Sequence, residues 1–454
     1  MFFTEIREHF GVSQTLLGGL VTAKGLTAAL FAFPCGFMSE LLPRPRLIGF
    51  GMIFWASGLT LCAVAWSFEL IFCGRILNGI GLGVVQPLLL SLVADKNAPT
   101  KRGTAFGSLF FVAAVCNTVF GLVAIKYAAT PLAGIPGWRI SIFAVALFSA
   151  LVGIAIMLLV VEPNAEQLPE RRKKDSFLTV FLRNMPKIRQ LFKYPTFVLI
   201  LCQGGPGTAP WTIFSSFPQW LQLSCFTHSE SSWIFSYFGW GKAFSSLVSG
   251  VMLNLVARRF PNHGPPTIAN FSVAGGIPFL LLLFFLLPKP AELGTGDNHV
   301  VAFSVTFVLF GLVAAMCGTV NKKVFADIVP PAIFTYVFAI DQLIENSVGS
   351  LAGLAVGVVT DLAFHYDESS VKAGQCAPEE GQKLGLGMFT VCLVAWGVCF
   401  SVYLGMHWTY PRDRRRQLQL RRAQAEAIKD GCKAEDIELS AHTEAPCTEV
   451  VREQ

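Results

Sequence analysis

Long apolar runs separated by short polar segments occupy the chain from residue 14 to residue 409. Crossing the hydrocarbon core of a bilayer takes about 20 apolar residues. Because hydrocarbon offers no hydrogen-bond partner to an open backbone, each crossing is expected to be an α-helix. The pattern predicts an all-α, multi-pass membrane protein with eleven spans, at 14–38, 47–66, 70–93, 104–126, 139–161, 195–223, 231–257, 266–287, 300–320, 334–363 and 384–409.

Composition agrees with this prediction. The chain is 53% hydrophobic and only 14% charged, whereas about a quarter of the residues of a soluble protein are charged. The net charge of +6 requires no nucleic acid, because the basic residues gather in predicted loops on one side. The twelve cysteines form no CxxC pair and no Cys/His cluster, so we interpret most of them as small buried hydrophobic residues. Neither a metal nor a cofactor is expected.

Lysine and arginine are distributed unequally between the two sets of loops. One set contains seventeen of them, including Lys322 and Lys323, and the other contains six. Cytosolic loops carry the excess of positive charge in membrane proteins. We therefore expect the loop that follows the first span, and the C-terminal tail, to be cytosolic. The pattern leaves open whether the membrane is the plasma membrane or an endolysosomal one.

The longest predicted cytosolic connection before the tail divides five spans from six. It separates an N-terminal bundle at 1–161 from a C-terminal bundle at 195–410, and the basic linker between them is 162–194. A polar tail follows at 411–454. The start of the tail, "PRDRRRQLQLRRAQAEAIKD", suits either a basic helix on anionic lipid or, more simply, a solvated segment.

A charged loop around Asp95 returns in altered form 232 residues later, around Asp327. The aligned pairs include Ala94 with Ala326, Pro99 with Pro331, and Phe106 with Phe338. Many secondary transporters are built from two such repeats, with the substrate site between them. The repeat therefore predicts two related halves that enclose a binding site.

Several segments, taken in order, resemble the major facilitator superfamily. "GFMSELLPRPR" is similar to the loop between the second and third helices of that superfamily, and "FCGRILNGIGLG" is similar to its fourth-helix signature. "ADKNAPTKRGTAFG", "GIPGWR" and "FADIVPPAIFTYVFAIDQLIE" resemble the spinster-like branch and related plant and protist transporters. The resemblance implies two bundles of six helices and, for the branch, lipid-like or amphiphilic anions such as lysolipids as substrates.

The first predicted bundle has five spans where the resemblance implies six. The segment "EIREHFGVSQTLLGGL" resembles the external loop before the second helix of the superfamily. Our hypothesis is that the first helix is missing through a truncated gene model or an alternative start.

Alternating access requires the cytosolic ends of the two halves to join in one state and to separate in the other. Exposed ion pairs, worth about 1 kcal/mol or less each, suit such a latch. The latch candidates are Glu40, Asp95 and Arg102 in the first half and Asp327 in the second. In the second half, Asn254 occupies the position equivalent to Glu40, and Phe334 occupies the position equivalent to Arg102. The second-half latch is therefore expected to be weaker.

Five charged residues fall inside predicted spans and away from the span ends, where a charge costs about 3 kcal/mol. They are the candidates for transport and coupling: Lys24, Arg75, Lys242, Asp341 and Glu345. Asp341 and Glu345, four residues apart, share one helix face. Since the second and eleventh helices pack together in the superfamily, we predict contact between Lys24 and Glu345, with Asp341 as the alternative. Either these are structural ion pairs, or a carboxylate loads a coupling proton.

The span at 195–223 is the most interrupted. Its "GGPGTAP" stretch, residues 204–210, is predicted to break the helix, and broken helices at membrane depth commonly line a cavity. Gln203 and Trp211 are therefore candidates for cavity lining, whereas Trp220 suits a place at the membrane interface. Weaker lining candidates are Asn78, Asn117 and Asn321.

The chain contains no GxxxxGK[ST] loop, no HExxH motif and no Ser/His/Asp set in one polar compartment. We therefore favour a secondary active transporter or facilitator that moves a small organic solute by alternating access, with Arg75 for an anionic group and protons as the candidate coupling ion. The alternative is a non-transporting receptor or scaffold that kept the fold. A membrane-embedded enzyme ranks third, because no catalytic set is found.

Overall fold

A computed structural model describes residues 6, 9–12, 14–128, 131, 134–162, 176–290, 297–365 and 376–429. The N-terminal half comprises α1 Gln14–Leu41, α2 Arg44–Val64, α3 Phe68–Lys96, α4 Arg102–Ala128 and α5 Gly137–Leu159. Short polar or proline-containing segments end these helices. Ser67, for example, caps α3 by accepting a hydrogen bond from the Leu70 N–H at 3.4 Å.

The C-terminal half follows the amphipathic helix α6 Phe177–Leu191, which lies within the predicted linker. Its helices are α7 Pro195–Ile213, α8 Phe217–Leu223, α9 His228–Arg259, α10 Gly264–Leu281, α11 Asp297–Ala314, α12 Met316–Ile328, α13 Phe334–Phe364 and α14 Pro378–Lys429. A 3-10 turn at Phe214–Ser216 joins α7 to α8, and a π-helical stretch at Leu282–Leu286 prolongs α10.

The predicted all-α membrane fold is confirmed, and each predicted span coincides with a helix or a pair of consecutive helices. In the described part of the chain, eight helical segments are long and apolar enough to cross a membrane by themselves. The remaining crossings are α7 with α8, α9, and α13. α7 and α8 are separated by a break, and α9 and α13 carry buried polar side chains.

Two details of the predicted helices are wrong. The stretch 204–210 does not break its helix, because α7 runs without interruption to Ile213 and the break follows at Phe214–Ser216. Lys322 and Lys323, counted above among the loop residues, are buried within α12. Because α12 continues until Pro330–Pro331 ends it, both lysines lie at least one turn inside the helix.

The last helix also passes the predicted boundary between bundle and tail. α14 continues through Pro411 to Lys429, so the first part of the tail prolongs the last membrane helix. The remainder of the tail, from residue 430, lies outside the described residues.

We call the side that carries loops 42–43, 97–101, 260–263 and 329–333 the basic face, and the other side the opposite face. The two halves meet through α1 with α13 and through α4 with α9, as the family resemblance implied for the first pair. Gly103 of α4 and Gly250 of α9 let two backbones touch, since a Cβ on Gly250 would lie 2.6 Å from the Gly103 carbonyl oxygen. Larger residues there would force the halves apart.

The core of the C-terminal half is rich in aromatic rings toward the opposite face. Phe214 stacks on Phe217 with ring centroids 5.0 Å apart, and Phe238 stacks on Phe310 at 5.2 Å. Trp220, expected at the membrane interface, is instead fully buried here against Phe284 at 4.7 Å. Part of the high phenylalanine content therefore builds a core and does not face lipid.

A disulfide between Cys225 and Cys376 closes the C-terminal half at the opposite face. It joins the turn after α8 to the segment before α14, and the Ala377 N–H donates to the Leu223 carbonyl beside it at 3.1 Å. The interpretation of the cysteines as buried hydrophobic residues is wrong for this pair. Their 151-residue separation gave no spacing motif by which to find it.

We predict that Cys376 of the native protein resists alkylation until a reductant is added. The disulfide holds its sulfur, so Cys225→Ser should make Cys376 reactive without reduction. Peptide mass spectrometry after alkylation with and without reductant measures this. Reactivity of Cys376 in the unreduced wild-type protein would contradict the pairing.

Candidate functional site

A buried group of three charged residues lies where α12 packs against α13. The Lys322 ammonium forms an ion pair with Asp341 Oδ2 and a second, at 3.1 Å, with Glu345 Oε1. The side chains of Lys322 and Asp341 are 6% and 1% exposed, whereas that of Glu345 is 22% exposed. Two carboxylates thus share one ammonium, and with all three groups ionised one negative charge remains.

The predicted contact of Lys24 with Glu345 is not formed. The carboxylate oxygens of Glu345 bond to Lys322 and, at 2.9 Å, to the Gln342 amide. Although α1 packs against α13 as predicted, its contact runs through Gly25 and Thr22, whose hydroxyl donates to the Ser350 carbonyl at 3.3 Å. The prediction failed because Lys322 was assigned to a loop.

Lys24 lies instead beside another cation, Arg75 of α3. Arg75 is buried, and its charge repels that of Lys24. Gly79, one turn after Arg75, lies against the backbone of α1 at Lys24, so the two helices cross at this point. The N-terminal half therefore presents two neighbouring positive charges at the depth where the C-terminal half holds its carboxylates.

Two of the predicted lining residues lie inside the C-terminal half. The Asn321 amide donates to Gln203 Oε1 at 2.9 Å, and the Tyr403 hydroxyl donates to Asn321 Oδ1 at 3.0 Å. Both Gln203 and Asn321 are buried. They connect α7, α12 and α14 into one polar network, which supports α12 next to Lys322.

The remaining candidates are divided between packing and exposure. Lys242 of α9 lies over the ring of Trp211, with its Nζ 5.0 Å from the ring centroid, and over Phe238 at 5.5 Å. Asn78 is buried between α3 and α2, where its amide donates to the Trp55 carbonyl at 3.3 Å. Asn117 is exposed on α4. Lys242 with Trp211 thus forms a cation–π pair, and Asn78 serves helix packing.

The two repeated loops meet between the halves at the basic face, and one residue contacts both. Arg102 donates from Nε to the Ala94 carbonyl of its own half at 3.0 Å, and from Nη1 to the Ala326 carbonyl of the other half at 2.7 Å. These carbonyls occupy equivalent positions of the repeat. The guanidinium also lies 4.9 Å above the ring of Phe334, the residue equivalent to Arg102 itself.

Two more hydrogen bonds join the halves at this face. The Tyr336 hydroxyl of α13 donates to Glu40 Oε1 of α1 at 2.6 Å, and Arg183 of α6 pairs with the same carboxylate at 3.0 Å. The Asn254 amide of α9 donates to the Thr104 hydroxyl of α4 at 2.7 Å. Asn254, which stands in place of the expected acid, therefore forms a separate contact between the two halves.

Asp95 and Asp327, predicted as latch residues, are bonded within their own halves. Asp95 pairs with Arg44, whose Nη2 also lies 2.6 Å from Glu162 Oε1. Asp327 pairs with Lys323 and accepts a hydrogen bond from the Tyr410 hydroxyl at 3.1 Å. These carboxylates brace the helix ends of each half, while Glu40 and Arg102 connect the halves.

Among the described residues, no group of three or more His, Cys, Asp and Glu side chains has the arrangement of a metal site. The charged groups described above are one carboxylate pair that shares a lysine, two neighbouring cations, and one lysine over aromatic rings. Such an arrangement can bind and release charged solutes or protons.

Solved structures with the same arrangement of helices reveal the fold. The proton:xylose symporter XylE superposes with a TM-score of 0.60 at 14% sequence identity, covering 85% of this chain and 87% of that one. The human organic anion transporter MFSD10 (TETRAN) superposes with a TM-score of 0.55 at 16% identity, covering 84% and 83%. The chain has the major facilitator fold.

Sequence comparison supports the major facilitator superfamily for the N-terminal half, since the family model for the Major Facilitator Superfamily matches residues 1–225. Multidrug resistance protein 3 of Bacillus subtilis (strain 168) is 31% identical over 107 residues, which is 23% of this chain and 21% of that protein. Plastidic glucose transporter 4 of Arabidopsis thaliana is 30% identical over 146 residues, 31% and 25% of the two chains. The chain thus spans between a fifth and a quarter of the length of these curated relatives.

Sequence reasoning missed Lys322, Tyr336 and Glu162. Two signals could have found Lys322: Asp341 and Glu345 required a cation at their depth, and the proline pair at 330–331 placed the helix end after it. Tyr336 and Glu162 offered no such signal, because their roles depend on how separate helices meet.

We predict that Lys322→Gln lowers the free energy of unfolding by about 3 kcal/mol or more, because it leaves two buried carboxylates without their cation. Adding Asp341→Asn in the same chain should restore much of the loss by removing one of those charges. Unfolding in mixed micelles with increasing dodecyl sulfate measures both variants. A double variant no more stable than Lys322→Gln would contradict the shared-charge arrangement.

We predict that Arg102→Lys loosens the junction of the halves, because one ammonium cannot reach both the Ala94 and Ala326 carbonyls as a guanidinium fork does. Hydrogen–deuterium exchange should become faster in peptides 36–43 and 329–340 and stay unchanged in α2 and α10. The matched control is Lys101→Gln, an exposed neighbouring cation, which should change neither. Unchanged exchange at both junction peptides in Arg102→Lys would refute the role assigned to this arginine.

Proposed function

We propose that the chain is a secondary transporter of the major facilitator superfamily that moves a small organic anion between its two halves by alternating access. The observation that carries this proposal is the meeting of the repeated loops at the basic face. Arg102 there bonds equivalent carbonyls of both halves at 3.0 and 2.7 Å. A junction of a few hydrogen bonds can form and break within a transport cycle.

The position of the contacts supports a cycle that starts open toward the opposite face. Within the described residues, hydrogen bonds between the halves extend from the basic face to Thr22 and Ser350, near the middle of α1 and α13. We infer that this is the state closed at the basic face. Positive charge in that face's loops supports a cytosolic location for it.

The charges at the centre support an anionic substrate. Lys24 and Arg75 repel each other in the N-terminal half, and an anion bound between them would relieve that repulsion. The relatives named above include proteins described as an organic anion transporter, a sugar symporter and a multidrug resistance protein. The resemblance to the spinster-like branch extends the candidates to amphiphilic anions such as lysolipids.

The carboxylate pair supports coupling to protons. One proton would neutralise the negative charge that remains on Lys322, Asp341 and Glu345. Glu345 is the more exposed of the two acids, so a proton reaches it more readily than it reaches Asp341. Loading and release at Glu345 would then accompany movement of α13, which carries both acids and Tyr336 of the junction.

We predict that the full chain in proteoliposomes takes up an amphiphilic carboxylate or a lysophospholipid faster than a neutral sugar, and faster at an inward proton gradient. Arg75→Gln should reduce anion uptake about tenfold or more, because a hydrogen-bonded charge contact contributes about 1.5–3 kcal/mol. The matched control Lys101→Gln removes an exposed basic-face charge and should leave uptake unchanged.

Glu345→Gln should keep uptake down the substrate gradient but lose its dependence on the proton gradient. Retention of that dependence would remove Glu345 from coupling. No uptake of any class by the correctly folded wild-type chain would contradict transport and favour the receptor or scaffold.

A further inference from the structure

A cavity of about 530 Å³ opens at the basic face, where α14 leaves the C-terminal half and passes the start of α7. Four basic side chains and Trp408 contribute to its lining; the basic ones are Lys193, Arg412, Arg415 and Arg416. None of these residues belongs to the charged group around Lys322 or to the junction between the halves. The cavity is therefore separate from the proposed transport route.

The walls of this cavity are fixed by contacts between α14 and the start of α7. Asp413 Oδ2 accepts a hydrogen bond from the Thr196 N–H at 2.9 Å, and the Gln417 amide donates to the Tyr194 hydroxyl at 3.1 Å. The guanidinium of Arg416 lies 5.2 Å over the ring of Tyr194. These bonds hold the helix beyond Pro411 against the bundle, so the basic side chains project from a fixed support.

The charge of the cavity favours an anion. Asp413 is the acid in its lining, and that carboxylate is buried in its bond to α7. In the described part of the chain, Lys193, Arg412 and Arg415 form no ion pair with a carboxylate, and all three are exposed. With Arg416, the lining carries an excess of positive charge that a phosphate group would neutralise.

The apolar side of the same site points to a lipid and not to a free ion. Trp408 is 75% exposed one turn before Arg412, and Phe192 is 53% exposed beside Lys193. Exposed tryptophan marks the level where headgroups meet hydrocarbon. Along α14 the arginines follow Trp408, on the side away from the membrane-spanning part of the helix. A bound molecule would therefore meet positive charge at one end and apolar surface at the other.

We propose that this cavity binds the headgroup of an anionic phospholipid from the leaflet on the basic face. Lys193, Arg412 and Arg415 contact its phosphate, and its acyl chains lie along Trp408 and Phe192. The bound lipid would bridge α14 to the start of α7.

The test uses the full chain in phosphatidylcholine vesicles that contain brominated phosphatidylserine or, separately, brominated phosphatidylcholine. Bromine on the acyl chains quenches nearby tryptophan, and subtraction of the Trp408→Phe signal isolates Trp408. We expect half-maximal quenching at a fraction of phosphatidylserine at least about tenfold lower than that of phosphatidylcholine, since each of the three basic residues near an anionic lipid adds about fivefold in affinity. In the triple variant K193Q/R412Q/R415Q, half-maximal quenching should occur at the same fraction of either lipid.

The matched control R46Q/K96Q/K101Q removes three exposed charges from the same face and should keep the preference for phosphatidylserine. In the triple variant, quenching by brominated phosphatidylcholine serves as a control that Trp408 still faces lipid. Millimolar inorganic phosphate should not displace the lipid beyond the effect of chloride at equal ionic strength. Equal quenching by both lipids in the wild type, an unchanged triple variant, an equal loss in the control, or displacement by phosphate would each overturn the proposal.

Discussion

Two neighbouring carboxylates inside a bilayer need a cation, and this requirement determines how α12 packs against α13. Asp341 and Glu345 of α13 obtain their cation from Lys322 of α12. For Lys322 to reach that depth, the helix must continue beyond the interruption at Ala315, and the network of Gln203, Asn321 and Tyr403 supports it there. α12, which carries Lys322, is thus buried along most of its length.

The relation between the halves depends on departures from their repeat. Symmetric loops would put an acid at Asn254 and an arginine at Phe334, and that arginine would face Arg102 across the junction. Instead, Arg102 bonds carbonyls of both halves and lies over Phe334, while Asn254 donates to Thr104. Phe334 and Asn254, which depart from the repeated motif, therefore both contribute to the contact between the halves. These contacts argue against a lost function.

Sequence patterns predicted whatever depends on local periodicity. The eleven spans, the two related halves and the pairing of α1 with α13 follow from hydropathy, the repeat and the family resemblance. The continuous helix at 204–210 did not follow from the sequence. Neighbouring helices support a proline-containing helix inside a membrane, and intrinsic helix propensity does not include that support. The partners of Asp341, Glu40 and Cys225 lie 19, 296 and 151 residues away, so only the packed structure identifies them.

The most direct test of alternating access measures two distances between α4 and α9, one at each face. Spin labels at Lys101 and Arg258 report the basic face, and labels at Tyr127 and Ser229 report the opposite face, all at exposed positions of the two helices or their ends. When substrate or a proton gradient drives the cycle, alternating access predicts that the first distance lengthens while the second shortens. Two distances that stay fixed, or that change in the same direction, would contradict it.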